Sequence, residues 1–151
     1  MNAYYFCIFL LATLTLCLGL LVSIGRGVFG QFIGHSNAPN DTLHKWVRAH
    51  ANCAEYVPIS MILLYLVSLN PVGSWVFWFV ILLTVCRFIF VAGILIPSTM
   101  ATPNPIRFIG AMGTFFFGLG LSVAFLLQLL QDWGFGLYQM AGQINPWDNH
   151  T

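Results

Sequence analysis

The stretch RAHANCAEYVP, residues 48–58, holds the residue types best suited to binding a small charged molecule. Arg48, Asn52 and Glu55 follow one another at intervals of four and three residues. On a helix this spacing places all three side chains on one face. A guanidinium binds carboxylates through paired hydrogen bonds, a carboxylate binds an amine, and an amide can donate or accept. The stretch therefore predicts a polar stripe that could hold a ligand with both acidic and basic groups.

The composition of the chain sets the class of protein that must carry this stripe. Of its 151 residues, 59% are hydrophobic and only 6% are charged, and the formal net charge is +1. A soluble domain has about 25% charged residues. The mean hydropathy is +0.85, which indicates an integral membrane protein. No basic cluster of the kind that binds nucleic acid is present, so that class of partner is excluded.

Four apolar runs approach or reach the roughly 20 residues that a helix needs to cross a bilayer. They are approximately Tyr4–Gly25, Trp46–Leu69, Trp75–Ile96 and Ile106–Leu130. The first run follows no basic leader and precedes no clear cleavage site, so we expect a retained helix and not a signal peptide. Turn-forming residues separate the runs. The sequence therefore predicts an all-α, four-helix membrane bundle that forms one domain over residues 1–151.

The ends of three helices are also predicted from the sequence. Asn104 is a good N-cap for the fourth helix, with Pro105 at its first position. Asn40 or Asp41 could cap the second helix, and Ser74 could cap the third.

The basic residues all fall toward one side of such a bundle, and that side carries Arg26, Lys45, Arg48, Arg87 and Arg107. The positive-inside rule predicts that this side is cytoplasmic, so that both termini face the periplasm or the lumen of the endoplasmic reticulum. The membrane is then a bacterial inner membrane or the endoplasmic reticulum.

A charged side chain at the centre of a bilayer costs ~2.5–3.5 kcal/mol on insertion scales. We therefore expect the stripe to face the bundle interior or a water-filled pocket. One alternative is an internal ion pair between Arg48 and Glu55 that only fixes the helix register. The excess of arginines favours a site for an anionic ligand that enters from the cytoplasm, although Arg26 and Arg107 could instead anchor the helices by snorkelling to the headgroups.

Other residues predict packing rather than chemistry. Small residues recur every four positions in the fourth helix, which favours close helix contacts or an oligomer interface; they are Gly110, Thr114, Gly118 and Ser122. The cysteines form no CxxC pair and are expected to be small apolar packing residues. The histidines show no metal-ligand spacing, so we predict no metal site.

The motif RAHANCAEYVP closely resembles the second-helix motif of the MAPEG family, the membrane-associated proteins of eicosanoid and glutathione metabolism. Its NCxEY part is most similar to that of the leukotriene-forming member. SIGRGVFG lies where the family has a basic end to the first helix, and NPIRFIG lies where it has the arginine that opens the fourth. The resemblance covers essentially the whole chain.

The resemblance implies a homotrimer that holds glutathione between neighbouring subunits and takes a lipophilic second substrate from the bilayer. It implies a catalytic role for Arg107, which would activate the sulfur, and one for Arg26, which would help to hold the carboxylates of glutathione and is the next candidate for the activator. It implies that glutathione is bound by Arg48, His50, Asn52, Glu55, Tyr56 and Arg87. One departure is clear: some members carry tyrosines where this chain has Phe90 and Ile94.

The function predicted from these observations is a membrane-bound glutathione transferase. It would conjugate the glutathione thiolate to lipophilic electrophiles, with peroxide reduction and isomerisation as other reactions of the same thiolate. One alternative is a non-catalytic scaffold of the same fold that binds lipid or glutathione, as in the lipoxygenase-activating branch of the family. Another is a small proton-coupled exporter with Glu55 as its proton site.

Overall fold

The backbone forms four helices in the part of the chain that the computed structural model describes, residues 2–143, with side chains described for residues 3–134. They are α1 (Asn2–Val28), α2 (Thr42–Leu69), α3 (Ser74–Leu95) and α4 (Pro105–Gln143). Each helix contains a segment long and apolar enough to cross a membrane. The prediction of an all-α bundle with four membrane spans is therefore confirmed.

Two of the predicted helix caps are formed. Asp41 accepts a hydrogen bond from the backbone N–H of His44 at 2.6 Å and so caps α2. Asn104 accepts one from the backbone N–H of Ile106 at 2.9 Å, in front of α4. The side-chain amide of Asn104 also donates to the carbonyl of Gly93 at 2.9 Å, which ties the start of α4 to the end of α3.

The predicted cap at Ser74 is wrong. Ser74 is the first residue of α3, the N-cap position is Gly73, and no side chain caps this end. Gly73 has an extended backbone, with φ 170° and ψ 163°, so the helix begins only after it. The side chain of Ser74 therefore lies inside the first turn, one position too late to act as the cap.

The four helices share one apolar core. Leu11 of α1, Leu64 of α2, Leu83 of α3 and Leu121 of α4 are all fully buried. Large apolar side chains also cover the outside, and Phe116 is 66% exposed. A surface of this kind is suited to lipid, which solvates apolar side chains as well as a protein core does.

Helices α3 and α4 approach each other backbone to backbone near the basic end. A Cβ atom added at Gly93 would lie 2.6 Å from the backbone nitrogen of Arg107, and one added at Gly110 would clash with the backbone of Phe90. This contact fixes the distance between Arg107 and the last two turns of α3. It confirms that Gly110 is a packing residue.

The rest of the small-residue stripe is only partly at this contact. Thr114 is buried, and a Cβ atom at Gly118 would make an ordinary contact of 3.6 Å with Leu83, but Ser122 is exposed. Gly120 also approaches α3, where its missing side chain leaves room for the ring of Phe79. The four-residue repeat correctly predicted tight helix packing. The residue that approaches α3 near the start of α4, Gly110, belongs to the repeat, whereas Gly120 farther along the helix does not.

The loops at the basic end are joined to each other. Lys45, at the start of α2, donates to the carbonyl of Pro97 at 3.0 Å. The backbone N–H of Met100 donates to the carbonyl of Pro39 at 2.8 Å. These bonds hold the α1–α2 and α3–α4 loops together over the end of the bundle at which the site lies.

Candidate functional site

A cavity of about 930 Å³ opens at the basic end of the bundle. Sites for small molecules commonly have about 300–1,000 Å³. The walls come from the first half of α2, the end of α3, the α3–α4 loop and the start of α4. The lining includes Arg48, Asn52, Phe90, Ile94, Met100, Asn104, Arg107, Phe108 and Ala111.

The polar wall of this cavity combines α2 with α4. Arg48 and Asn52 lie one turn apart on α2, and Arg107 faces the same space from the first turn of α4. Arg107 is half-buried, and its guanidinium donates to the carbonyl of Met100 in the preceding loop at 3.5 Å. The structure thus brings two guanidinium groups and one amide of the predicted site into a single cavity.

Arg87 lies beneath this wall and does not line the large cavity. It is 1% exposed, and its Nη2 donates to Oδ1 of Asn52 at 2.7 Å and to Sγ of Cys53 at 3.4 Å. Its guanidinium carbon is 5.6 Å from the ring centroid of Tyr56 and 5.1 Å from that of Phe90. A smaller cavity of about 60 Å³ lies between Arg87, Asn52 and Tyr56. Among the described residues, Asn52 is therefore the one residue of the large cavity to which Arg87 donates a hydrogen bond.

The ion pair between Arg48 and Glu55 is not formed. Both side chains are exposed, Arg48 at the cavity wall and Glu55 outside the cavity, and among the described residues no acidic and basic side chains approach within 4.0 Å. The two residues are seven positions apart, which is about 10 Å along a helix and too far for direct contact. The stripe was expected to face the bundle interior or a water-filled pocket; Arg48 and Asn52 do line the large cavity, whereas Glu55 is exposed and lies outside it.

The remaining predicted site residues lie at different distances from the cavity. Tyr56 lines the small cavity beside Arg87. His50 packs against α1, since a Cβ atom added at Gly19 would lie 3.1 Å from its Nε2. Arg26 donates to carbonyls of the α1–α2 loop, at 2.9 Å to Phe32. Neither His50 nor Arg26 lines the cavity of its own chain, so their roles in binding and catalysis stay predictions.

The chain matches the model of the MAPEG family over residues 4–127, a range that contains every residue lining the cavity. The chain belongs to the MAPEG family. MAPEG proteins are membrane four-helix bundles, in agreement with α1–α4, and they include glutathione transferases, synthases and non-catalytic members. No match was found among curated proteins.

Several residues of this MAPEG cavity were not predicted from the sequence as site residues. Met100 and Phe108 form part of the apolar wall, and Asn104, predicted only as a helix cap, lines the cavity as well. Phe90 and Ile94 face this same cavity. Thus the two positions at which this chain lacks the tyrosines of some members belong to the site itself and make that wall more apolar.

Proposed function

We propose that this MAPEG protein is a membrane-bound glutathione transferase. It conjugates glutathione to lipophilic electrophiles that enter the site from the bilayer. The observation that carries the proposal is that Arg48, Asn52 and Arg107 line one cavity whose other walls are largely apolar. This division suits a polar thiol peptide on one side and an apolar second substrate on the other.

Glutathione has two carboxylates, one amine and one thiol, and the polar wall offers groups that match them. The guanidinium of Arg48 suits a carboxylate, because it can form two parallel hydrogen bonds to it. The amide of Asn52 suits the peptide backbone. Glu55 suits the amine, but it is exposed and lies outside the cavity of its own chain.

The position of Glu55 supports a homotrimer with a shared site. A carboxylate on a membrane-spanning helix is costly when it faces lipid. A second copy of the chain packed against α2 would cover Glu55 and Arg48. The Glu55 side chain of the first copy would then lie at the cavity of the second copy. We therefore assign the amine contact to Glu55 of a neighbouring copy, with the site directed toward the cytoplasm as the basic residues indicate.

The reaction requires the thiolate, because the neutral thiol is a weak nucleophile. A free thiol has a pKa of about 8.5, so only a small fraction is ionised at neutral pH. The guanidinium of Arg107 stabilises the anion, and the thiol proton passes to water. With an aryl halide, the sulfur forms a bond to the ring carbon and the halide leaves with the electron pair of the broken bond. Phe90, Ile94 and Phe108 hold the apolar part of the electrophile.

One observation favours a second candidate function, a non-catalytic scaffold that binds lipid or glutathione. Phe90 and Ile94 provide no hydroxyl groups to the cavity, so a polar ligand has fewer hydrogen-bond partners there. An apolar wall of this kind would still bind a lipid. The two candidates differ in whether bound glutathione becomes ionised.

The test uses the full chain in detergent. Calorimetry measures glutathione binding, the ultraviolet difference spectrum measures thiolate formation, and release of product from an aryl halide measures turnover. S-methylglutathione is the matched control, because it keeps the carboxylates and amine but has no ionisable thiol. A transferase gives all three signals, and the control ligand binds without the thiolate absorbance. Binding without thiolate or turnover would establish the scaffold, and the absence of glutathione binding would exclude the transferase and leave only a scaffold that binds lipid.

A further inference from the structure

The side-chain amide of Asn52 has a defined direction because of its neighbour. Nη2 of Arg87 lies 2.7 Å from Oδ1 of Asn52. A guanidinium has only donors, so the amide oxygen must face it and the amide nitrogen must point away. The choice between the two orientations of the amide is thus decided by the chemistry of Arg87.

Arg87 is itself held firmly in place. Only 1% of its surface is exposed, and the same Nη2 contacts Sγ of Cys53. The rings of Tyr56 and Phe90 lie within 6 Å of the guanidinium carbon, a distance at which a cation and an aromatic ring attract each other. With contacts on α2 and on its own helix, Arg87 has little freedom to release Asn52.

Asn52 joins the two cavities, since it lines both the large cavity and the small one beside Arg87. Its Oδ1 is occupied by Arg87, and none of the described residues accepts a hydrogen bond from its Nδ2. The free donor group of Asn52 is therefore available to a ligand, while its acceptor is not.

We propose that Arg87 is a positioning residue that acts through Asn52. It fixes the amide so that the polar wall offers a hydrogen-bond donor at this point, which selects a ligand that places a carbonyl or carboxylate oxygen there. This inference deepens the proposed function and rests on it, since glutathione is a ligand with such oxygens. It assigns Arg87 a different role from direct carboxylate binding, because the side chain does not line the large cavity.

The contact is tested without any ligand by thermal unfolding of four proteins in detergent. These are the parent, Asn52→Asp, Arg87→Met and the double variant. The carboxylate introduced by Asn52→Asp would keep an oxygen facing Arg87, so this variant should unfold at or above the parental temperature. In the double variant the carboxylate has no partner, so its unfolding temperature should fall several degrees below that expected from the two single changes. Purely additive shifts would overturn the contact between Arg87 and Asn52.

The consequence for binding is tested by calorimetry with glutathione. Arg87→Met should stay folded and bind about three- to tenfold more weakly, which corresponds to the loss of one oriented hydrogen bond. Arg87→Lys, which can still donate to Oδ1, should recover part of the affinity, and Asn52→Asp should bind worst because it places an oxygen where the donor stood. Thr84→Val is the matched control, since Thr84 is buried on the same helix and bonds only to the carbonyl of Val80.

Parental affinity in Arg87→Met would overturn the positioning role. If the parent bound no glutathione, the proposed function would fail, and the role of Arg87 in ligand selection would fail with it. The unfolding measurements would still decide, independently, whether Arg87 holds the amide of Asn52.

Discussion

The same guanidinium group occurs in three different surroundings around the cavity. Arg87 is enclosed by an amide, a thiol and two aromatic rings, Arg107 is half-buried at the cavity wall, and Arg48 is an exposed part of that wall. These differences favour three roles. An enclosed arginine can orient a neighbour, a half-buried one can stabilise an anion where water is partly excluded, and an exposed one can attract a carboxylate.

Arg107 is predicted to stabilise the glutathione thiolate. Lowering the pKa of the thiol by about 2 units corresponds to about 2.7 kcal/mol, which is within reach of one guanidinium in a partly shielded site. Arg107→Leu should therefore fold and bind glutathione but lose the thiolate absorbance, and turnover with an aryl halide should fall in parallel. Turnover of this variant should recover as the pH rises toward the free-thiol value of about 8.5, because the thiol then ionises without help.

Arg107→Lys is the conservative control, because it keeps the charge and loses the planar fork. It should retain part of both signals. A Leu variant with parental thiolate absorbance and turnover would show that another group activates the sulfur. Arg26 would then be the next residue to test, although its guanidinium donates to carbonyls of the α1–α2 loop in the structure of one chain.

Arg48 and Glu55 are predicted to bind the charged ends of glutathione. Replacing either with alanine should abolish measurable binding in calorimetry, since each removes a charge-assisted contact. Because both side chains are exposed on one chain, we expect the monomer fold to survive and the trimer content to fall. Size-exclusion chromatography measures that content. If both variants bound glutathione as tightly as the parent, Arg48 and Glu55 would have a structural role and would not bind the ligand.

At the scale of the helices, the hydropathy of the sequence predicted where the spans lie but not where the helices end. The second run was expected to begin at Trp46, whereas α2 begins at Thr42 because Asp41 caps it. The fourth was expected to end at Leu130, whereas α4 continues to Gln143 and is about 58 Å long. Apolar runs stop where the bilayer stops, but backbone hydrogen bonds continue a helix into water.

The candidate site was predicted unevenly for a related reason. The spacing of Arg48 and Asn52 along one helix is a local property, and they do line one cavity. The contact between Arg87 and Asn52 joins residues 35 positions apart and depends on how α2 and α3 pack. Periodicity within a helix does not contain that information, so the partner of Arg87 could not be predicted from the sequence.

The close approach of α3 and α4 is predicted to depend on Gly110. Gly110→Ala places a methyl group against the backbone of Phe90, which cannot move aside as a side chain could. We expect the helices to separate, with a loss of about 1–3 kcal/mol in stability, and glutathione affinity should fall because Phe90 and Arg107 line the same cavity. Unfolding in detergent and calorimetry measure the two effects.

Gly118→Ala is the matched control for this experiment. It adds the same methyl group to the same helix, but its nearest neighbour is the flexible end of Leu83 at 3.6 Å. It should unfold within about 0.5 kcal/mol of the parent, since substitutions that create no clash have small effects. Equal losses in the two variants would show that the glycines matter for helix flexibility and not for the approach of α3.

For the whole molecule, the basic ends of all four helices define one face of the bundle, and we predict that this face is cytoplasmic. Asn37→Cys tests it, because Asn37 is exposed in the α1–α2 loop. Ser74→Cys, exposed at the opposite end, is the matched control. A membrane-impermeant maleimide should label Ser74→Cys in intact cells or sealed lumenal-side-out vesicles and label Asn37→Cys only after the membrane is opened.

Both cysteine variants should also carry Cys17→Ala, so that the maleimide does not react with a native cysteine. Of the four native cysteines, Cys17 is exposed and the other three are buried. The reverse pattern of labelling would place the cavity on the periplasmic or lumenal side. Cytoplasmic glutathione could then not reach it directly.

The assembly itself is predicted to complete the site, with Glu55 of one copy serving the cavity of the next. Glu55→Ala and Arg107→Leu should each be inactive alone, and the fraction of mixed trimers that still forms, purified through a different tag on each variant, should be partly active. A closed ring of three subunits that contains both variants has three sites between neighbouring subunits. At one of these sites an intact Glu55 meets an intact Arg107, so about one third of parental turnover should return. If Glu55 served its own chain, every site in a mixed trimer would lack one of the two residues and turnover would stay at the level of the single variants. The exposed position of Glu55, outside the cavity lined by Arg107 of the same chain, leads us to expect recovery.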